Sequence, residues 1–397
     1  MKFAIISPVL PPSPSGQAVV LYQLLKDIPP EGYVAISTHD YSRESRNNCT
    51  ENLGGTYHYL PDIHFIFKKF LLITHFFGIK MFILAYLEKR VRQYQRILQN
   101  NGCDLAIGCT ADIFEPFAVL SACNRLHIPF YFYILDDYLN QWTDRFEASF
   151  LREFGPDIIK RADKVIVINE CLKKVYDSRF GIVTVLLHNP TDLQRYPAPD
   201  PHPSQRTGIR ILYTGDVGEA HYDAFRNLIA ALERTGDPGI RIHIYTGRRR
   251  ARLFKEKITG PFVVLHPHQH ISSIPRIQQS ADILFLPLAF HSGFPEFIIN
   301  SASPGKMGEF LAAGRPILVH APPGSFVSWY FKKFKCGLVV DSPSVEDLAS
   351  AIRRLSTDEE LRKQISSAAR EAAFRDFDAD SIRSRFRRIV SRNQPPV

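Results

Sequence analysis

Ala281-Asp282-Ile283-Leu284-Phe285-Leu286-Pro287-Leu288 and, after a loop, Ser303-Pro304-Gly305-Lys306-Met307-Gly308-Glu309-Phe310-Leu311-Ala312-Ala313-Gly314-Arg315-Pro316-Ile317-Leu318 carry the reading of the fold. The first is a short apolar run closed by proline, the pattern of a buried strand. A glycine-containing loop then runs to Pro304. The following stretch predicts a helix from about Gly305, ended by Gly314, and Pro316 opens the next strand. Strand, loop, helix and strand in this order make one unit of a parallel α/β sheet. Amides left free at the start of such a helix suit an anion. Lys306 adds a positive charge beside them, and Glu309, one turn on, can accept hydrogen bonds from a diol. From the spacing alone, a solvated helix face is the favoured reading for both side chains.

Outward from this stretch the same alternation recurs. Apolar runs lie at residues 2–7, 105–108, 129–135 and 164–168, and again at 210–214, 240–245, 262–265 and 337–340. Helix-period stretches such as 114–126 and 148–162 fall between them, so a parallel sheet covered on both faces is expected. Pro197-Ala198-Pro199-Asp200-Pro201-His202-Pro203-Ser204 cannot sustain regular structure. It is read as a linker over 197–208. The expected organisation is therefore a domain over 1–196, a second over 209–375, and a basic helix over 376–397 closing the fold. In such sheets ligands bind beyond the carboxyl ends of the strands.

The chain has 397 residues with 45% hydrophobic and 22% charged side chains, a globular balance that excludes a disordered or fibrous protein. Its formal charge of +9 is uneven: 21 Lys and Arg face 20 Asp and Glu up to Tyr196, so nearly all the excess lies beyond. Anionic partners are indicated, without choosing among phosphates, lipids and nucleic acid. Six cysteines without a Cys-x-x-Cys pair read as reduced thiols of a cytoplasmic protein, and the apolar start at Phe3 is too short for an export signal. Residues 63–98 interleave Phe65, Phe67, Phe70, Phe76, Phe77 and Phe82 with Lys68, Lys69, Lys80, Lys89, Arg90 and Arg92. They fit either a basic amphipathic helix lying on a membrane or a helix packed on its own sheet.

The segment Lys306-x-x-Glu309-Phe310-Leu311-Ala312-Ala313-Gly314-Arg315-Pro316 resembles the donor-site helix of GT-B glycosyltransferases of the family 4-like group (glycosyl transferases group 1). Other marks follow in matching order: Ser7-Pro8 with Ser15-Gly16-Gln17, Arg161-Ala162-Asp163-Lys164-Val165-Ile166, His188-Asn189-Pro190-Thr191-Asp192, and Tyr213-Thr214-Gly215-Asp216. The resemblance implies two doubly wound Rossmann-like domains facing each other across a cleft. It implies transfer of a sugar, with retention, from a nucleoside-diphosphate sugar to a saccharide or lipid-linked saccharide in polysaccharide biosynthesis. No metal or further cofactor is implied. Lys306, Glu309 and Arg248 are the expected catalytic residues. Gly215, Asp216, His268, Ser303, Pro304 and Gly305 join Lys306 and Glu309 on the donor, and Ser15, Gly16 and Asp136 lie on the acceptor and sugar side.

Two positions depart from the family pattern. The first of its two acidic residues falls on Ser301. The loop after Gly215 carries no basic residue before Arg226, where the family places Arg and Lys, and Arg248 is the expected substitute. A sugar-nucleotide 2-epimerase and a non-catalytic scaffold of the same fold are the alternatives. Nucleic acid finds no reader module. The absence of a Gly-x-x-x-x-Gly-Lys-Ser/Thr loop removes an ATPase, and no Gly-x-Gly-x-x-Gly follows the first strand to suggest a nicotinamide enzyme.

Overall fold

The computed structural model describes residues 1–41, 52–62, 78–142, 145–198 and 208–391. They form two compact units, one of residues 1–188 with 382–397, the other of residues 189–381.

In the first unit seven strands run parallel in the order β3-β2-β1-β4-β5-β6-β7. They are β1 (Phe3–Ile6), β2 (Tyr33–Ser37), β3 (Thr56–Tyr59), β4 (Leu105–Cys109), β5 (Phe130–Ile134), β6 (Lys164–Val167) and β7 (Val185–Leu186). Every residue of β1, β2, β4 and β5 is buried, because helices cover both faces of a parallel sheet. The helix Gly78–Asn100 buries Leu87, Val91, Tyr94 and Leu98, so its later turns pack on the unit. Arg90, fully buried on the same helix, sits 3.2 Å from Glu115 and donates to the Pro61 carbonyl. A buried charge of this kind requires such partners. The rest of the expected membrane-lying segment, residues 63–77, lies outside the described residues. Cys103, Cys109, Cys123 and Cys336 are buried and Cys171 half-buried, all as free thiols.

The second unit has six parallel strands in the order β10-β9-β8-β11-β12-β13. They are β8 (Ile209–Thr214), β9 (Ile240–Thr246), β10 (Val263–Pro267), β11 (Ile283–Pro287), β12 (Ile317–His320) and β13 (Leu338–Val340). The first strand of each unit lies inside its sheet and the order reverses beside it, the doubly wound arrangement. The helix Lys306–Ala313 begins at Gly305 and stops at Gly314, whose φ of 63° closes it as expected. The loop before it holds an additional short helix, Glu296–Ser301.

The unit boundaries differ from those expected at 196 and 375. Residues 189–196 join the second unit because their bonds lead there. Thr191 pairs with Asp378 in an isolated parallel bridge, and the Tyr196 hydroxyl donates to Gln278 at 2.8 Å. The proline-rich stretch thus falls inside the second unit, before β8; its residues 199–207 lie outside the described ones. The basic helix Ala379–Val390 carries residues 382–390 into the first unit. There Phe386 meets Phe3 edge-on at 6.1 Å, Arg383 pairs with Asp27 at 3.0 Å, and Arg385 donates to the Leu186 carbonyl.

Candidate functional site

In the second unit the carboxyl end of β8, the short helix Ile274–Gln279 and the helix Lys306–Ala313 bring four side chains together. Gln278 is fully buried. Its amide nitrogen donates to Thr214 Oγ1 and to Glu309 Oε2, each at 2.9 Å, and its oxygen accepts from the Tyr196 hydroxyl. Glu309 is therefore held in one position. Burial raises its pKa, against the Gln278 hydrogen bond and the nearby charges of Lys306 and Arg195.

Lys306 lies over the Tyr213 ring, with Nζ 4.9 Å from the centroid. Burial disfavours its charge, but the Tyr213 hydroxyl, Glu309 and Asp216 outweigh that and raise its pKa above the ordinary lysine value. The site thus keeps a fixed cation. Gly215 makes room for it: a Cβ there would stand 2.7 Å from Lys306 Cε and Nζ, at a φ of 127° that side chains rarely adopt. Lys306 and Glu309 consequently form one site with β8 instead of a solvated face.

The start of the helix Lys306–Ala313 is open. No side chain caps Gly305, and a Cβ built on it would meet nothing within 4 Å. The Pro304 carbonyl accepts from Met307 N, and the Ser303 carbonyl accepts from Asn189 Nδ2 at 3.2 Å. Asn189 Oδ1 and Ser303 Oγ are buried without a hydrogen-bond partner among the described residues. A helix start with free amides, a neighbouring ammonium and unused polar groups is suited to an oxyanion.

Arg248, which follows β9, reaches the loop after β8 and pairs there with Asp216 through two contacts of 2.6 Å. That carboxylate raises the Arg248 pKa. The cation missing from this loop in the sequence is thus brought in from the next strand, and arrives already paired. His268 is exposed beyond β10, beside Gly247.

The acceptor-side candidates stand at the carboxyl ends of β1, β4 and β5. Ser15 caps the helix Gly16–Leu25 by accepting from Ala18 N. Gln17, on that helix, donates to Ser7 Oγ at 2.7 Å and to the Thr110 carbonyl. Thr110 Oγ1 accepts from the Asp136 amide. Asp136 is exposed, yet local desolvation, and then the Asp137 charge, push its carboxyl up to about 6. Asp137 is instead structural: it accepts from Asn140 and from the Tyr176 hydroxyl.

Gln278 and Tyr196 were not expected in the site, and Tyr213 and Thr214 were read only as part of the strand-loop mark that ends at Asp216. Gln278 is buried with Pro275 in their short helix, a burial that its residue type does not signal.

Two parallel doubly wound units with this site after the first strand of the second define a GT-B fold. Residues 208–358, which include the Lys306–Pro316 motif, match the model of the Glycosyl transferases group 1 family. Solved structures are similar over nearly their whole length. A glycosyltransferase from Rickettsia africae aligns at 12% identity over 98% of this chain and 97% of its own, with a TM-score of 0.68. HepE from Anabaena, in complex with UDP and glucose, aligns at 14% identity over 99% and 100%, with a TM-score of 0.68. TarM from S. aureus, in complex with UDP among other ligands, aligns at 11% over 98% and 99%, with a TM-score of 0.64. No curated protein matches the sequence. Among the described residues, no helix is long and apolar enough to cross a membrane.

Proposed function

We propose that the chain is a retaining, family 4-like glycosyltransferase that takes its sugar from a nucleoside-diphosphate sugar. The observation that carries this reading is the fixed pair on the helix Lys306–Ala313, with Glu309 held by Gln278 and Lys306 held over Tyr213. Glu309 accepts hydrogen bonds from the ribose hydroxyls of the donor. The free amides at Gly305 and the Lys306 ammonium meet the diphosphate. As the bond from the anomeric carbon to the diphosphate oxygen breaks, negative charge grows on the leaving group. A preplaced cation and amides stabilise that charge without reorganising, the kind of help worth most in a partly dry site. The acceptor hydroxyl oxygen then bonds the same carbon from the same face, and its proton passes to the departing diphosphate oxygen. No metal is assigned a role.

Ser303 and Pro304 shape the approach to that helix start, Gly215 and Asp216 border it, and His268 meets the base. Ser15, Gly16 and Asp136 face the sugar and the acceptor, a saccharide or lipid-linked saccharide of a polysaccharide pathway at the cytoplasmic side of a membrane. UDP, bound in the HepE and TarM complexes, is the first nucleotide to test. Replacing Glu309 by Ala should raise the donor KM or abolish turnover in a folded protein. Unchanged kinetics in a purified, active enzyme would overturn the assignment. Consumption of the sugar nucleotide to its 2-epimer without any acceptor would favour the epimerase.

A further inference from the structure

Beyond Arg248 the chain reads Arg249-Arg250-Ala251-Arg252-Leu253-Phe254-Lys255-Glu256-Lys257, and the short helix Arg250–Lys255 turns this run into a surface. Leu253 and Ile258 are buried and anchor it to the second unit. Leu253 points inward, so its neighbour Phe254, about 100° further round the helix, points out. It is 73% exposed, more than any other large aromatic side chain among the described residues. The sole acid of the run, Glu256, is taken by Arg252 at 3.0 Å and Arg226 at 3.8 Å. Arg249, Arg250, Lys255 and Lys257 are exposed and form no ion pair among the described residues.

We infer that this face, Phe254 ringed by Arg249, Arg250, Lys255 and Lys257, docks on an anionic lipid surface. The charge sets the partner's sign, and the exposed ring sets its character. A phenyl group surrounded by cations gains from an interface that is anionic at the headgroups and apolar just beneath. Single-stranded nucleic acid would call for several aromatic platforms along a groove, and this face has one ring on one short helix. The inference does not depend on the chemistry of the neighbouring site: it uses none of the residues assigned there.

The test is co-sedimentation of the full chain with vesicles of phosphatidylcholine alone or with about one-third phosphatidylglycerol, at low and at raised salt. The native chain should bind only the anionic vesicles, and less as salt rises. Phe254→Ser should weaken that binding about tenfold through the lost ring. Arg250→Ser with Lys255→Ser should weaken it roughly twenty-five-fold, at about fivefold per cation. Thermal melting and UDP binding should stay unchanged in both, since the replaced side chains are exposed. Failure of the native chain to bind anionic vesicles would overturn the proposal. So would binding by both variants equal to native, which would place any membrane contact elsewhere, or tighter binding to DNA that is insensitive to Phe254→Ser.

Discussion

Replacing Gln278 by Leu tests whether the site is built as described, because one buried amide holds three partners at once. The change keeps the volume but removes the acceptor for the Tyr196 hydroxyl and the donor to Thr214 and Glu309. A buried polar group left without a partner costs about 1–3 kcal/mol. Tyr196 and Glu309 together therefore predict a loss of roughly 2–6 kcal/mol. For a unit of this size that lowers Tm by roughly 4–24 °C, readable by circular dichroism. The second consequence is chemical. Burial already raises the Glu309 pKa and the Gln278 hydrogen bond opposes it, so the variant's carboxyl should rise further and carry its proton to higher pH. A protonated Glu309 loses charge-assisted hydrogen bonds to the ribose, worth about 1.5–3 kcal/mol or roughly 10- to 100-fold in Kd. Calorimetric titration with UDP at a lower and a higher pH should show the larger loss at the lower one, where more of the carboxyl carries its proton. A variant with native Tm and the native pH profile of binding would refute the reasoning. A destabilised variant with native UDP affinity at both pH values would remove Glu309 from the nucleotide.

Asp216→Asn should free Arg248 from its ion pair and tighten nucleoside diphosphate binding several-fold, at about 1 kcal/mol for an exposed pair; weaker binding by calorimetry would show that Asp216 itself serves the ligand. Gly215→Ala should push Lys306 aside, given the 2.7 Å clearance and the φ of 127°, with about 1–3 kcal/mol lost in stability and at least a tenfold weaker UDP titration. His320 is fully buried between Asn227 and the Val340 carbonyl, and burial lowers its pKa to about 4. The folded chain then binds its proton less readily than the unfolded one, so this group's contribution is intact above about pH 6.5 and is lost as pH falls toward 4. The loss should reach about 3 kcal/mol at its acid end. Urea titrations near pH 7 and pH 5 should show a shallower acid limb in His320→Gln than in the native chain.

Most strands were legible because a strand covered on both faces must be apolar throughout, as at residues 130–134 and 283–287. β3, Thr56-Tyr57-His58-Tyr59, escaped this test: it is an edge strand, only half-buried, and its polar residues break the run. The unit boundary was misplaced because Pro197 and its neighbours look like a hinge, whereas the crossing near residue 188 carries no composition signal. Lys306 and Glu309 were legible through the resemblance of their helix to a family motif, because spacing within the helix fits a solvated face better. The pairing of Arg248 with Asp216 was not legible, since it joins two loops 32 positions apart in the chain. Gln278 was hidden for a related reason: a polar residue that satisfies other buried groups looks in the sequence like any surface glutamine.

The Thr191–Asp378 bridge has a consequence for how this chain can be taken apart. Thr191 N donates to the Phe377 carbonyl, and Ala379 N donates to the Thr191 carbonyl, so the segment between them begins and finishes at one clasp. Residues 189–381 are a cassette spliced into a host whose own chain supplies both termini. A gene fragment covering only the cassette should yield a folded nucleotide-binding module, and related hosts could accept one another's cassettes at the same seam.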